Sequence, residues 1–170
     1  MTVYFAYGSN LWLDQMKRRC PESQLIGVAV LHDWLWIINQ RGYANVIPSA
    51  GDIVYGLVFK LNERDEETLD GYEGVPSSYE KRTLSVVSLP IRGQTNAKDS
   101  QGREEERSIE ALVYVDTRRK NAGPPQEEYI YRINMGVKDA LEQGIPLGYV
   151  EKYIRPLIPE IPADIDASQI

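Results

Sequence analysis

The 170-residue chain has the length of a single domain that can bury a hydrophobic core. It carries 25 acidic and 19 basic residues, a net charge of -6, which argues against a nucleic-acid partner because contacts to phosphates need a basic surface. One histidine and one cysteine exclude an internal disulfide and a zinc site of His and Cys ligands within one chain, so we expect no metal.

A short strand followed by a helix is predicted at the N-terminus. Residues 2–6 are rich in β-branched and aromatic side chains, which favours a strand. Ser9 or Asn10 then occupies a position suited to a helix N-cap, and Pro21 ends the helix. The apolar residues of this helix recur on one face: Leu13, Met16 and Cys20.

The middle of the chain is rich in strand patterns. Asn62 is suited to cap a short acidic helix over residues 63–72. Six or seven strands without helices between them predict an α+β fold, a mostly antiparallel sheet or small β-barrel with helices packed outside. The strand segments after the first are 26–30, 34–38, 43–47, 53–61, 82–89 and 109–115.

The last third combines a polar loop, two helices and a tail. Residues 91–107 lack an apolar period and predict a long mobile hairpin loop. Apolar spacing after Pro125 predicts an amphipathic helix, followed by a short helix over residues 146–155. A single domain over residues 1–158 is expected, and the acidic, proline-containing tail 159–170 is expected to be flexible.

The sequence predicts a cytoplasmic protein without a membrane partner. No apolar stretch approaches the ~20 residues of a membrane-spanning helix. Met1 leads directly into a strand pattern, which is unlike a signal peptide. The single Cys20 fits a reducing compartment.

The residues YGSN at positions 7–10 are a candidate anion site. Gly8 permits a close approach to the backbone, and amides at the start of a helix lack partners within it. A carboxylate or a developing oxyanion would fit there. The local pattern fits equally a plain turn in which Ser9 or Asn10 caps the helix.

Glu73 is the candidate carboxylate. It follows the acidic helix in a turn, and the negative end of that helix would raise its pKa toward the range of a general base. A solvent-exposed turn glutamate is the alternative. His32 is interpreted as a structural or surface residue, so chemistry would come from carboxylates, tyrosines, serines and backbone amides.

Four segments taken in order resemble the gamma-glutamylcyclotransferase family, from residue 4 to about 158. They are YFAYGSNL, GDIVYGLVFKL, LDGYEGVPSSYEKR and PPQEEYIYRINMGVKDALEQGIPLGYVEKY. The resemblance implies an intramolecular reaction in which the α-amine of a γ-glutamyl group attacks its own γ-carbonyl. The products would be 5-oxoproline and a free amine, and no cofactor is needed.

The resemblance also implies which residues act and how the protein assembles. Glu73 would be the general acid and base, and Tyr129 and Tyr79 would contact substrate or line its pocket. A homodimer is plausible by the same resemblance. The substrate-binding segment would be Tyr4, Phe5, Ala6, Tyr7, Gly8 and Ser9, with Asn10 adjacent.

Two other functions remain open at this stage. A non-catalytic module of the same fold could hold an acidic metabolite in the YGSN turn. A gamma-glutamylamine cyclotransferase would need the same residues and differ only in its leaving-group pocket. The asparagine after YGS favours γ-glutamyl amino acids over glutathione as substrates.

Overall fold

Five strands close into a barrel in the computed structural model, which describes residues 1–89 and 106–161. The order around the barrel is β1-β3-β2-β4-β5, and neighbours are antiparallel except β1 and β5, which pair in parallel. This confirms the predicted α+β class. The strands are β1 (Thr2–Ala6), β2 (Gln24–Ile38), β3 (Ala44–Leu61), β4 (Glu80–Leu89) and β5 (Arg107–Val115).

Strands β2 and β3 each unite two segments that were predicted as separate strands, so that prediction was wrong. In β2 the segments 26–30 and 34–38 join through Asp33, whose φ is 66° at a shift of register between His32 and Trp34. In β3 the strand continues past Pro48 and Gly51, which the sequence indicated as turn residues. Residues 49–52 of β3 stand opposite the single residue Asp33, and the pairing resumes at His32 and Ile53, so one irregularity interrupts the ladder without ending either strand.

Helices pack outside the barrel, and one predicted cap is confirmed. The Asp65 amide donates to Asn62 Oδ1 at 2.8 Å and begins α2 where expected. After α4 the chain continues as a π-helical turn, Val150–Ile154. The helices are α1 (Leu13–Arg19), α2 (Glu63–Tyr72), α3 (Glu127–Gln143) and α4 (Leu147–Tyr149).

The prediction that Ser9 or Asn10 caps the first helix is wrong. Residues Ser9–Leu11 form a separate 3₁₀ turn, and α1 begins only at Leu13. The Leu13 amide donates instead to Asp139 Oδ2 of α3 at 2.8 Å. The side chains of Ser9 and Asn10 are therefore available for other contacts.

Helix α3 lies tightly against this 3₁₀ turn. A Cβ placed on Gly136 would stand 2.9 Å from Leu11 Cβ and 3.0 Å from the Trp12 amide nitrogen, so only glycine permits this approach. The predicted amphipathic face is confirmed, since Ile133, Val137 and Ala140 are buried.

Part of the predicted loop and tail lies outside the described residues. The loop 91–107 is described only from residue 106, and β5 already includes Arg107. The tail 159–170 is described only up to residue 161. Among the helices of the described ranges, none combines the length and apolar composition that a membrane crossing needs.

Candidate active site

A cavity of about 250 Å³ lies between the turn after β1, the C-terminal end of α2 and the beginning of α3. Its walls carry a carboxylate, three arginines and a majority of the chain's tyrosines. The lining residues are Tyr4, Tyr7, Gly8, Ser9, Asn10, Arg19, Arg41, Tyr43, Ala44, Tyr72, Glu73, Gly74, Ser78, Tyr79, Tyr114, Tyr129 and Arg132.

The structure brings together every predicted site residue except Phe5 and Ala6. Both are fully buried in the barrel core and are not among the lining residues. The Phe5 ring lies against Gly56 of β3, where an added Cβ would come within 2.5 Å of it. These two residues thus support the strand from which the YGSN turn departs.

The YGSN turn is held at Tyr7 from two sides. Trp36 Nε1 donates to the Tyr7 carbonyl at 2.9 Å, and the Tyr7 hydroxyl donates to the Tyr114 carbonyl at 2.5 Å. At Gly8 an added Cβ would stand 3.0 Å from the Tyr129 hydroxyl oxygen. Gly8 thus packs closely against a cavity residue, and a side chain at this position would require the Tyr129 hydroxyl to shift by a few tenths of an ångström.

A buried polar network fixes the next two side chains of the turn. Gln15 Nε2 donates to Ser9 Oγ and to Asn10 Oδ1, each at 2.9 Å. Asn10, only 3% exposed, donates through Nδ2 to the Tyr4 hydroxyl at 3.0 Å and accepts from Arg19 Nη1 at 3.2 Å. The Ser9 and Asn10 amides, at the start of the 3₁₀ turn, have no acceptor within it.

Glu73 is the carboxylate of the cavity wall. It directly follows α2, and its amide donates to the Leu69 carbonyl at 2.9 Å. Burial raises the pKa of Glu73 to about 7, although the charges of Arg19 and Arg132 lower it. The direction of the rise is as predicted, but its largest cause is burial and not the predicted negative end of α2.

Two cavity tyrosines are anchored on the backbone of Ala44. The Tyr79 hydroxyl donates to the Ala44 carbonyl at 2.7 Å, and the Tyr129 hydroxyl accepts from the Ala44 amide at 3.3 Å. Burial raises the pKa of Tyr129 to about 12 and that of Tyr79 well above its ordinary value. Both phenols stay neutral where Glu73 titrates.

Comparison with known proteins gives the family. Residues 4–132 match the family model described as "Gamma-glutamyl cyclotransferase, AIG2-like". The chain belongs to this family. It is 33% identical over 160 residues to the gamma-glutamylcyclotransferase of Homo sapiens, covering 88% of this chain and 76% of the relative. The corresponding protein of Bos taurus is 32% identical over the same shares.

Solved structures agree with this assignment to the gamma-glutamyl cyclotransferase family. One named "Gamma-glutamyl cyclotransferase" superposes with a TM-score of 0.70 at 31% identity, covering 96% of this chain and 90% of that one. The YkqA protein of Bacillus subtilis gives a TM-score of 0.69 at 18% identity, which shows a shared fold alone.

Sequence reasoning missed the three arginines of this family member's cavity. Arg19, on α1, lines the cavity, and its guanidinium lies 4.4 Å from the centre of the Tyr72 ring. Arg132 lies 4.9 Å from the centre of the Tyr129 ring. Its spacing of three residues from Tyr129 on one helix could have indicated this contact.

The remaining candidates for chemistry lie elsewhere. His32 is exposed on β2 and is not a lining residue, as its interpretation as a surface residue predicted. Within residues 1–89 and 106–161, no cluster of three His, Cys, Asp or Glu side chains could hold a metal ion. The titratable side chains that line the cavity are those of Glu73, the three arginines and the tyrosines.

Proposed function

We propose that this protein is a gamma-glutamylcyclotransferase that converts a γ-glutamyl amino acid into 5-oxoproline and a free amino acid. Its family and the names of its relatives support this activity. The observation that carries the assignment of roles is the position of Glu73: a carboxyl whose pKa is raised to about 7 shares one cavity with the YGSN turn. Catalysis at neutral pH needs such a group.

In the proposed mechanism Glu73 moves one proton twice. The substrate's α-amine attacks the γ-carbonyl carbon, a carbon–nitrogen bond forms, and the Glu73 carboxylate takes the proton of the amine. Protonated Glu73 then gives this proton to the amide nitrogen as its bond to the carbonyl carbon breaks. Proton transfer of this kind contributes about 10²–10⁴-fold.

The YGSN turn would stabilise the negative charge that develops on the carbonyl oxygen. The first amides of the 3₁₀ turn, Ser9 and Asn10, are fixed in place by the surrounding network, so they need no rearrangement during the reaction. A small cavity also favours the folded-back conformer, because both reacting groups belong to one molecule. In this proposal Tyr4, Tyr7, Tyr79 and Tyr129 bind the substrate.

Release of 5-oxoproline by wild type and by Glu73→Gln tests the proposal. The panel is γ-glutamyl-alanine, γ-glutamyl-ε-lysine and glutathione. We expect release from γ-glutamyl-alanine, reduced at least ~100-fold in the variant. The matched control is Glu67→Gln, which removes an exposed carboxylate on α2 and should retain full activity.

The panel also separates the alternative functions. Release from γ-glutamyl-ε-lysine alone would identify a gamma-glutamylamine cyclotransferase. An inactive protein that binds these ligands tightly would be a binding module. Retained turnover in Glu73→Gln would refute the role of Glu73.

We further propose a cytoplasmic homodimer with one domain over residues 1–158. The acidic chain with a single cysteine supports the compartment, and the family resemblance supports the dimer. Light scattering coupled to gel filtration measures the assembly: a mass near 19.4 kDa would contradict the dimer.

A further inference from the structure

The three arginines of the cavity fall into two groups. The charges of Arg19 and Arg132 lower the pKa of Glu73, whereas the charge of Arg41 acts on the pKa of Tyr79. Their positions differ as well: Arg19 of α1 contacts Asn10 and Arg132 of α3 lies against the Tyr129 ring, whereas Arg41 lies in the turn between β2 and β3.

The arginines near Glu73 already have protein partners. Arg19 donates to Asn10 Oδ1 at 3.2 Å. Arg132 binds the two carboxylate oxygens of Glu128 at 2.8 and 2.9 Å. Their donors are thus partly engaged before a substrate enters.

Arg41 differs because its guanidinium forms no ion pair or hydrogen bond with the residues that the structure describes. It is half-buried, and its nearest aromatic contact is the Tyr43 ring, at 5.6 Å from the ring centre. A guanidinium with unengaged donors in a cavity wall is suited to bind a carboxylate in a bidentate manner.

The turn that carries Arg41 is held rigidly. The Gly42 amide donates to the Asn39 carbonyl at 2.9 Å. Gln126, at the beginning of α3, donates through Nε2 to the Arg41 carbonyl at 2.9 Å and through its amide to the Gly42 carbonyl at 3.1 Å. Arg41 is therefore presented from a preorganised backbone, which lowers the entropic cost of binding.

The proposed substrate has two carboxylates at opposite ends of the reacting amide. One belongs to the glutamyl group and the other to the leaving amino acid. We propose that Arg41 binds the carboxylate of the leaving amino acid and so selects γ-glutamyl amino acids over γ-glutamyl amines. This inference rests on the proposed function, because it takes Glu73 as the centre of reaction.

Tyr43 would link this subsite to the reacting centre. Its ring meets the Tyr129 ring edge to face, with centres 5.1 Å apart. A leaving group held at Arg41 would thus lie along a wall of aromatic rings. Because the carboxylate is bound in the ground state and in the transition state alike, its loss should raise KM and leave kcat nearly unchanged.

The proposal is tested by changing the enzyme and the substrate separately and together. Wild type and Arg41→Gln are assayed with γ-glutamyl-alanine and with γ-glutamyl-alaninamide, whose leaving group lacks the carboxylate. We expect the variant to raise KM for the acid roughly 10- to 100-fold and to leave KM for the amide within about twofold. Arg64→Gln removes an exposed arginine on α2 as the matched control and should change neither.

Two results of this test would overturn the proposal. Equal losses for acid and amide would mean that Arg41 binds the glutamyl end or supports the fold. Unchanged kinetics for both would mean that Arg41 does not contact the leaving group.

A binding measurement separates this inference from the proposed function. Calorimetry with Glu73→Gln, with and without Arg41→Gln, reports the affinity of both ligands in the absence of turnover. A loss of affinity confined to γ-glutamyl-alanine supports the Arg41 subsite even if wild type releases no 5-oxoproline. Equal affinities with and without Arg41 would refute the subsite even in an active enzyme, and absence of both binding and turnover would refute both proposals.

Discussion

The indole of Trp36 and the backbone carbonyl of Tyr7 are hydrogen-bonded, with Nε1 donating to the carbonyl oxygen at 2.9 Å. Trp36 belongs to β2 and is 1% exposed, while Tyr7 begins the YGSN turn. The bond therefore ties the candidate substrate-binding turn to the barrel wall. A tryptophan 29 residues away along the chain thus helps to hold the turn in place.

Trp36→Phe should weaken both stability and activity. The phenyl ring keeps most of the packing but leaves the Tyr7 carbonyl without its donor, at a cost of about 1–3 kcal/mol. We expect kcat/KM to fall about tenfold because the turn is less well fixed. Urea unfolding and 5-oxoproline release measure the two effects. Trp34→Phe, at a partly buried site on the same strand, is the control, and equal effects of both changes would contradict this role.

The pH dependence of kcat/KM should report Glu73. Because its pKa is raised to about 7 and the base must be ionised, the rate should fall about tenfold per pH unit below pH 7. Arg132 lowers this pKa, so Arg132→Gln should move the acidic limb to higher pH. The substrate's own ionisations are the same with both enzymes. If the acidic limb lies at the same pH in wild type and in Arg132→Gln, it reports an ionisation of the substrate and not of Glu73.

Ionised Glu73 should destabilise the folded protein. Its folded pKa of about 7 exceeds the ordinary value of 4.5, so the folded state binds more protons between these pH values and stability falls as pH rises through this window. Over this pH window the free energy of unfolding should fall by on the order of 2 kcal/mol, because Glu73 is partly solvated. Urea unfolding of wild type and Glu73→Gln at pH 4, 5.5 and 8 measures it. The difference in stability between them should shift in favour of the variant as pH rises, and a constant difference would refute the burial of the charge.

Gly8→Ala should disrupt the cavity without unfolding the barrel. The new Cβ would meet the Tyr129 hydroxyl at 3.0 Å and Ala44 Cβ at 3.3 Å, so one neighbour must shift. We expect a loss of about 1–3 kcal/mol in stability and a larger KM. Gly148→Ala, on α4, meets no atom within 4 Å and should keep wild-type activity. Equal kinetics in the two variants would show that the contact at Gly8 does not position the site.

The parts of the fold that the sequence predicted correctly depend on contacts between residues close together in the chain. Asn62 begins α2 as expected, because its side chain and the following acidic turn act within a few residues. The merging of strands at Asp33 was not predictable from the same kind of signal. Whether such residues end a strand or only interrupt it is decided by how β2 and β3 pair, and turn residues such as Gly51 look alike in either setting.

For a similar reason, the sequence predicted some residues of the candidate site and missed others. Glu73 and the YGSN turn carry recognisable motifs, and Tyr129 follows from the family resemblance. Arg41 and Gln15 lie in segments without a motif, and their roles depend on which strands and helices meet. Asn10 looked like a helix cap because its contacts to Gln15 and Tyr4 are set by tertiary packing.

The parallel pairing of β1 with β5 is registered at one position, Tyr4 opposite Leu112. Tyr4 therefore lies both at the seam of the barrel, where β1 meets β5, and in the wall of the cavity. A ligand that packs against its ring would brace the seam as well as occupy the site. Hydrogen exchange of the amides beside this seam should slow when the cavity is filled, which makes closure of the barrel a reporter of occupancy.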